Sequence, residues 1–357
     1  MFTEPRSSLE KAVLSFIHRP WKDISRSESE FNGLALRIFH FQYQNNSIYR
    51  RFCDIEGYSV FKINSWKKIP AMPSLAFKEL KVTSFPKKEA IKVFRTSGTT
   101  REGRGVHYFR TLKLYEASIL PPFEKAFFWD RAKLSYYFLM NSPVDDAGSS
   151  LSHMMGVVNR RFADGRGQFY IKKGKPAFES LLKELQKEKK SVFLLATAFS
   201  LKSFLDYLKN KKIYLRLPVG SRLMETGGFK GKVKSVTKKA LYTECGKFLG
   251  IPKKNGVSEY GMTELSSQYY ARALGPMANP AWMRFQLIDP QTGLEVLSRK
   301  PGILKHVDLA NLDSVIAIQT EDLARKRGQG FELLGRLPGS AVRGCSLSYE
   351  ELMGEFE

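Results

Sequence analysis

The sequence predicts an α/β protein with a mostly parallel sheet flanked by helices, plus a small β-rich subdomain. Apolar strand patterns alternate with helical patterns between about residues 134 and 261, which is typical of parallel strands joined by helices. From about residue 283 short strand patterns follow one another, separated by turn signals such as Asp289-Pro290 and Thr292-Gly293. The 357 residues, 43% of them hydrophobic, suffice for two lobes or one large α/β domain.

The first part of the chain predicts helices and one strand–loop–strand unit. Residues 7–18 and 27–44 have helical periodicity, with a candidate capping box at Ser27 and Glu30. The runs 90–94 and 105–109 predict two strands around a hydroxyl-rich loop. A further helical pattern over 111–128 is broken near Pro121-Pro122.

The second part of the chain, from residue 134 onward, predicts strands that alternate with helices. Buried strands are predicted at 134–140, 191–197 and 223–226, with a strand or turn at 255–261. Helices are predicted from Phe178 onward, at 199–209 and at 232–249, and a loop is predicted up to His153. Short strands follow at 285–289 and 315–319. We therefore predict an α/β core over 1–282, a β-rich subdomain over 283–335 and a tail over 336–357.

The charge is strongly basic, with 58 Lys and Arg against 35 Asp and Glu, a net charge of +23. Such a balance is compatible with nucleic acid, an anionic membrane surface or acidic partners. The basic residues are spread along the chain, which favours a solvated surface, so we expect no specific nucleic acid; peripheral contact with an anionic membrane stays open.

The cysteine pattern and the hydropathy exclude further classes. Cys53, Cys245 and Cys345 are far apart and odd in number, which fits a reducing compartment rather than a disulfide framework. The sequence has no CxxC or HExxH motif and no run of 18 apolar residues, and its start lacks an apolar signal core. We expect a cytoplasmic protein without a transmembrane segment.

The loop between the first two predicted strands begins with Thr96-Ser97-Gly98-Thr99-Thr100. Glycine lets backbone N–H groups approach an anion, and hydroxyls add short donors, so the loop is a candidate phosphate site. Arg95, Arg101 and Arg104 would supply positive charge. It lacks the Walker spacing, and an ordinary solvated turn is the alternative.

Three more motifs follow in order: Glu225-Thr226-Gly227-Gly228, Ser258 to Glu264 (SEYGMTE), and Glu321-Asp322-Leu323 with Gly335-Arg336. The ordered set resembles the adenylate-forming superfamily. The short chain, Pro70 to Pro73 with Phe77-Lys78, the Phe229-Lys230 continuation and the Arg343-Gly344-Cys345-Ser346 ending resemble the acyl-protein synthetase family, which includes the fatty-acid-activating subunit of the bacterial luminescence fatty acid reductase.

The resemblance implies ATP and Mg²⁺ as cofactors and assigns a role to each matching residue. Thr96, Ser97, Gly98, Thr99 and Thr100 would hold the ATP β- and γ-phosphates. The other implied roles are adenine contact for Gly227, Gly228 and Tyr260, α-phosphate contact for Thr263, Mg²⁺ binding for Glu264, ribose contact for Asp322, ribose or α-phosphate contact for Arg336, and substrate carboxylate contact for His153. Each residue also has a structural alternative. The loop hydroxyls could bond to their own backbone, and Tyr260 could be a core aromatic residue. Asp322 and Arg336 could belong to surface ion pairs, and His153 could be a structural histidine.

The resemblance also carries an expectation about the C-terminal end. Longer relatives continue past the Gly-Arg pair into a lid with a catalytic lysine, whereas 21 residues follow Arg336 here. We expect that lid to be absent or vestigial, and Lys230 or Arg101 to be candidates for the missing cation.

Cys345 is the candidate acyl acceptor. It lies nine residues after Arg336, a reach of roughly 30 Å for an extended chain, and Arg343 would favour its thiolate. A packed apolar cysteine is the alternative, which we assign to Cys53 and Cys245. The prediction is an AMP-forming ligase that activates a carboxylic acid, most simply a long-chain fatty acid, and transfers the acyl group to Cys345 for a reductase or carrier partner. The alternatives are a CoA ligase of the phenylacetate type and a non-catalytic basic binding protein.

Overall fold

The computed structural model describes residues 4–19, 24–96, 104–130, 132–227, 237–296 and 300–337. The chain divides into two compact units. Unit 1 comprises Met1–Pro121, Met262–Ser267 and Asn279–Glu357, and unit 2 comprises Pro122–Gly261 and Gln268–Ala278. Among the described residues, no helix is long and apolar enough to cross a membrane.

Six of the nine α-helices in the described residues overlap helices predicted from periodicity. The nine are α1 (Arg6–His18), α2 (Ile24–Asn45), α3 (Ser47–Ile55), α4 (Ala76–Glu79), α5 (Lys113–Phe127), α6 (Ser150–Phe162), α7 (Phe178–Lys187), α8 (Ala198–Asn210) and α9 (Lys238–Leu249).

The strands follow the alternation that the sequence predicts. They are β1 (Met72–Pro73), β2 (Lys92–Arg95), β3 (Val106–Phe109), β4 (Leu134–Asn141), β5 (Gln168–Lys172), β6 (Lys175–Pro176), β7 (Ser191–Thr197), β8 (Arg222–Thr226), β9 (Gly256–Tyr260), β10 (Tyr269–Arg272), β11 (Met283–Ile288), β12 (Gly302–Asp308), β13 (Ala317–Arg327) and β14 (Gly330–Arg336).

Unit 2 is built on a seven-stranded sheet in the order β10-β9-β8-β7-β4-β5-β6. The pairs from β9 to β5 are parallel, and only the two edge strands run antiparallel. β7 is continuously apolar and buried because helices cover such parallel strands on both faces. The predicted α/β class with a mostly parallel sheet is confirmed.

Helices α7, α8 and α9 supply the apolar side chains that pack with this sheet. Leu181, Leu185, Leu201, Phe204 and Leu241 belong to one buried cluster with the strand residues. Removing a leucine or phenylalanine from water stabilises a fold by roughly 1.5–3 kcal/mol. The cluster thereby fixes the strands, whose carboxyl ends carry two of the sequence motifs.

Unit 1 contains α1 to α4, the antiparallel β2–β3 hairpin and a second sheet. That sheet has the order β1-β13-β12-β11, and β14 also pairs with β13. β1 comes from residues 72–73, so the β-rich region of residues 283–336 is hydrogen-bonded to an N-terminal strand. The domain boundaries at 282 and 335 stay predictions.

Some local predictions are wrong. Helix α5 runs through Pro121-Pro122 without a break, although two prolines remove two backbone donors. Its apolar face is buried at Ile119, Phe123 and Phe127, and this packing outweighs the local signal. Helix α2 begins at Ile24, so Ser27 is not its N-cap. α9 begins at Lys238 after the N-cap Thr237, and the predicted start at 232 lies outside the described residues.

Candidate functional site

The candidate phosphate loop is closed at its base by the β2–β3 hairpin in unit 1. The backbone N–H of Thr96 donates to the Gly105 carbonyl at 2.9 Å, and the N–H of Gly105 donates to Thr96 Oγ1 at 2.9 Å. Thr96 is therefore fixed where the loop begins. The predicted residues Ser97, Gly98, Thr99 and Thr100 lie outside the described residues.

Glu264 lies against this hairpin base. A Cβ atom built at Gly105 would be 3.3 Å from Glu264 Oε1 and 2.9 Å from Thr96 Cγ2. The Glu264 side chain is buried, with 6% of the residue exposed. The structure thus brings together two predicted site residues, Thr96 and Glu264, through a glycine whose missing side chain leaves the carboxylate room.

The segment Met262–Ser267, which carries Thr263 and Glu264, is irregular and is held by buried side chains. His107 of β3 forms a 2.9 Å hydrogen bond with the Thr263 carbonyl through Nδ1. Asn311 Nδ2 donates to the Glu264 carbonyl at 2.9 Å. Asp308 Oδ2 accepts the backbone N–H groups of residues 266 and 267 at 3.1 and 2.9 Å.

Burial shifts the pKa values of His107 and Asp308, two of the side chains that hold this segment. Burial lowers the pKa of His107 to about 4, so the ring is neutral near pH 7. Because the Thr263 carbonyl can only accept, Nδ1 carries the proton. Burial raises the pKa of Asp308 to about 6, against the donors that favour its charged form.

Asp322 and Arg336 lie side by side on neighbouring strands of unit 1. They face each other in the β13–β14 register, and Arg336 Nε donates to Asp322 Oδ1 at 3.2 Å. Arg336 is also 3.7 Å from Glu321 Oε2. Two residues predicted to contact ribose therefore form one partly exposed ion pair.

Gly227 and Tyr260 occur at the carboxyl ends of adjacent strands of unit 2. Gly227 follows β8 with φ of +77°, a left-handed conformation that favours glycine. Tyr260 ends β9, and its ring centroid is 5.8 Å from that of Tyr269 on β10. Gly228 lies outside the described residues.

A buried pair of glutamates supports these strand ends. Thr226 Oγ1 is hydrogen-bonded to Glu259 Oε2, and a Cβ at Gly261 would be 2.6 Å from Glu259 Oε1. Burial raises the pKa of Glu259 to about 7, and the negative charge of Glu225 adds to that rise. From the sequence, Glu225 is predicted only as part of a motif, and Glu259 has no predicted role.

Glu225 is fully buried, and its neighbouring cation is Lys238. Lys238 Nζ is 3.4 Å from Glu225 Oε1 and also contacts Ser258 Oγ. The Tyr242 hydroxyl donates to the same Glu225 oxygen at 3.4 Å. One ammonium therefore faces two buried carboxyl groups, and this arrangement is consistent with the raised pKa of Glu259.

The remaining predicted residues have separate outcomes. His153 lies in the first turn of α6, which Ser149 caps, and not in the predicted loop. Cys53 and Cys245 are buried, and burial raises the pKa of each thiol above its ordinary value. Cys345, Lys230 and Arg101 lie outside the described residues.

A metal ion at this site would need ligands besides the described side chains. Across the described ranges, no group of three or more His, Cys, Asp or Glu side chains is arranged to hold one. Glu264 offers one hard carboxylate, which lies close to Gly105. This suits Mg²⁺, which commonly takes one or two carboxylates together with substrate phosphates.

Comparison with known proteins gives a structural match without a sequence match. No protein-family sequence model matches the chain, and no curated protein sequence matches it. A 2-hydroxyisobutyryl-CoA ligase in the postadenylation state superposes with a TM-score of 0.67 at 13% identity, covering 87% of this chain and 68% of that one.

The same ligase with 2-HIB-AMP and CoA in its thioesterification state gives a TM-score of 0.64 at 15% identity, covering 94% of this chain and 70% of that one. ATP-bound MatB from Rhodopseudomonas palustris gives 0.50 at 13% identity, covering 71% and 49%. The chain has the fold of adenylate-forming CoA ligases. These similarities show the fold alone, so the predicted superfamily and the site roles above remain predictions.

Proposed function

We propose that the chain is an ATP-dependent ligase that converts a carboxylic acid into an acyl-adenylate. The observation that carries the proposal is the placement of the Glu264 carboxylate against Gly105, at the base of the hydroxyl-rich hairpin. A phosphate loop and a carboxylate for its metal are the two parts that nucleotide chemistry requires together. The structural neighbours support this, because their complexes contain ATP or an acyl-adenylate.

Unit 1 would bind the charged parts of the nucleotide. The loop beginning at Thr96 would donate to the β- and γ-phosphates, and Thr263 to the α-phosphate. Glu264 would hold Mg²⁺, which when bound neutralises phosphate charge. The pair of Asp322 and Arg336 has an acceptor and a donor for ribose hydroxyls.

Gly227 and Tyr260 would bind the base. The left-handed turn at Gly227 leaves no side chain over the backbone there, and the half-buried Tyr260 ring would stack on the purine. The reaction follows from such binding. An oxygen of the acid attacks the α-phosphorus, the bond to the β-phosphate oxygen breaks, and pyrophosphate leaves with that electron pair.

We propose Cys345 as the acyl acceptor and a long-chain fatty acid as the substrate. The Cys345 sulfur would attack the acyl carbon, the bond to AMP would break, and the thiol proton would pass to solvent. The resemblance of the C-terminal motif supports this step, and the burial of Cys53 and Cys245 leaves Cys345 as the candidate. A reductase or carrier thiol would then take the acyl group.

ATP–pyrophosphate exchange tests the first half-reaction. Purified chain is incubated with Mg·ATP, labelled pyrophosphate and a panel of fatty, aromatic and short hydroxy acids. We expect exchange with at least one acid, and a loss of about 10²–10³-fold in Glu264→Gln because a charge-stabilising group is removed. Glu295→Gln, which removes an exposed carboxylate paired with Lys67, is the matched control. No exchange with any acid contradicts the proposal.

Retention of labelled acid on denatured protein tests the acceptor. We expect label on the wild-type chain, no label on Cys345→Ala, and unchanged label on Cys53→Ala and Cys245→Ala. Label that survives Cys345→Ala would exclude the thioester.

The CoA-ligase alternative has a specific observation in its favour, since one neighbour is described with CoA bound. It predicts acyl-CoA formation that is independent of Cys345. The non-catalytic alternative predicts no exchange and salt-sensitive polyanion binding, for which the net charge of +23 is the observation.

A further inference from the structure

The backbone of Thr263 and Glu264 is held from two sides by buried side chains that the proposed chemistry does not use. His107 on β3 hydrogen-bonds to the Thr263 carbonyl at 2.9 Å, and Asn311 donates to the next carbonyl, that of Glu264, at 2.9 Å. Asn311 also donates to the Val315 carbonyl at 3.2 Å. Two successive carbonyls of the irregular segment are thus each held by a different element of unit 1.

Both supports are themselves rigidly placed. The His107 ring packs on Phe109 at a tilt of 36° with a centroid distance of 4.2 Å, and it packs edge-on against Phe77 at 5.8 Å. Gln42 of α2 fixes the backbone that carries Asn311, because its Nε2 donates to the Asn311 carbonyl at 2.7 Å and its Oε1 accepts from the N–H of Ile316 at 2.8 Å. His107 and Asn311 are 2% and 1% exposed.

Both supports line a small cavity. It has a volume of about 10 Å³, and His107, Asn311 and Ser266 are among the residues that line it. This is room for one water molecule. Asn311 Oδ1 is buried and has no hydrogen bond to any described residue, and the second nitrogen of a neutral His107 is an acceptor. Two acceptors match the two O–H donors of one water.

We propose that His107 and Asn311, joined by one buried water, form a clamp that positions Thr263 and Glu264 for the adenylation step. Both are positioning residues, since they touch the backbone of the reacting segment and not the substrate. The clamp rests on the proposed function. It also explains why β3, the second strand of the phosphate hairpin, has a histidine among apolar neighbours: the hairpin and the Glu264 segment are tied by one hydrogen bond.

Two substitutions at His107 separate positioning from packing. The amide nitrogen of His107→Asn lies near the place of Nδ1, whereas that of His107→Gln lies near Nε2. Positioning predicts that His107→Asn keeps kcat of pyrophosphate exchange within about threefold of wild type. His107→Gln should lose about tenfold or more in kcat with an unchanged KM for the acid, since small misplacements of reacting groups are costly. Equal kcat values for the two variants overturn the clamp.

A double-substitution cycle tests the link between the two residues. His107→Gln, Asn311→Leu and the double variant are compared, and residues that share a network give non-additive effects. We expect the double variant to be no worse than the poorer single one; losses that multiply overturn the water link. Asn159→Leu, which disrupts the amide bonds that hold residues 165–167 in unit 2, is the control for removing any buried asparagine.

Hydrogen–deuterium exchange keeps the clamp testable apart from the function. If wild type exchanges no pyrophosphate with any acid, the proposed function fails, and the clamp is judged by the amides of residues 263–267. Faster exchange there in His107→Gln than in His107→Asn supports the clamp, and equal rates overturn it.

Discussion

The raised pKa of Glu259 makes the stability of the folded chain depend on pH, and one substitution should remove this dependence. The folded chain keeps the Glu259 proton up to a pKa of about 7, whereas the ordinary value is 4.5, because the group is buried beside Glu225. Each tenfold change in proton affinity is about 1.4 kcal/mol. The stabilisation from binding this proton is therefore present below pH 4.5 and lost as the pH rises through 7, by up to about 3 kcal/mol.

The variant Glu259→Gln isolates this contribution. Glutamine keeps the size of the side chain and a hydrogen bond to Thr226, yet it does not titrate. The difference in unfolding free energy between variant and wild type should move by about 3 kcal/mol in favour of the variant between pH 4.5 and pH 8. Urea unfolding of both proteins across this range measures it.

A difference between two proteins is needed because other groups titrate in the opposite sense. Burial lowers the pKa of His107 to about 4 and that of His306 to about 3, so their contributions are present above pH 6.5 and lost as the pH falls. These cancel in the comparison. Glu295→Gln, at an exposed ion pair, should give a difference that is constant within about 0.5 kcal/mol. A constant difference for Glu259→Gln as well would refute the argument.

Three further predictions concern packing and reactivity. Gly105→Ala brings a methyl group within 2.9 Å of Thr96 Cγ2 and 3.3 Å of Glu264 Oε1. Pyrophosphate exchange should therefore fall at least about tenfold, and the free energy of unfolding should fall by about 1–3 kcal/mol. Unchanged exchange would contradict this prediction. Arg222→Leu removes a buried guanidinium that binds both oxygens of Asp130 and lies over Trp129. Urea unfolding should show a free energy of unfolding lower by about 3 kcal/mol. The control Arg272→Leu, which removes a second guanidinium over the same ring, should lower it by under about 1 kcal/mol. Thiol labelling of native protein should spare Cys53 and Cys245 because burial raises their pKa values, so fast labelling that persists in Cys345→Ala would contradict it.

Local sequence pattern was enough for most elements of unit 2. The strand 191–197 was predicted because a short apolar run suits a strand buried on both faces, and β7 has those bounds. The prolines of α5 show where local reasoning failed. A break was expected from two missing donors, but Ile119, Phe123 and Phe127 are buried on the continuous helix, and only the tertiary structure reveals that burial.

The candidate site was predicted unevenly for a related reason. Motif residues such as Thr96 and Glu264 could be found because their side-chain types suit phosphate and metal. His107 could not, since its partner is a backbone carbonyl 156 residues away, and any residue has a carbonyl. The Glu225–Glu259 pair had a usable signal, because both glutamates lie near the ends of predicted neighbouring strands, and the parallel register of β8 and β9 brings such ends together.

The backbone of residues 262–267 is held by side chains from elsewhere in unit 1 because the segment has no regular secondary structure. Six residues cannot satisfy their own backbone groups as a helix or sheet would, and buried groups left unpaired would cost about 1–3 kcal/mol each. Side chains from elsewhere in unit 1 supply these bonds: His107 and Asn311 to carbonyls, and Asp308 to N–H groups. A segment built this way can present a carboxylate at one fixed point, which is what a metal held mostly by substrate phosphates requires.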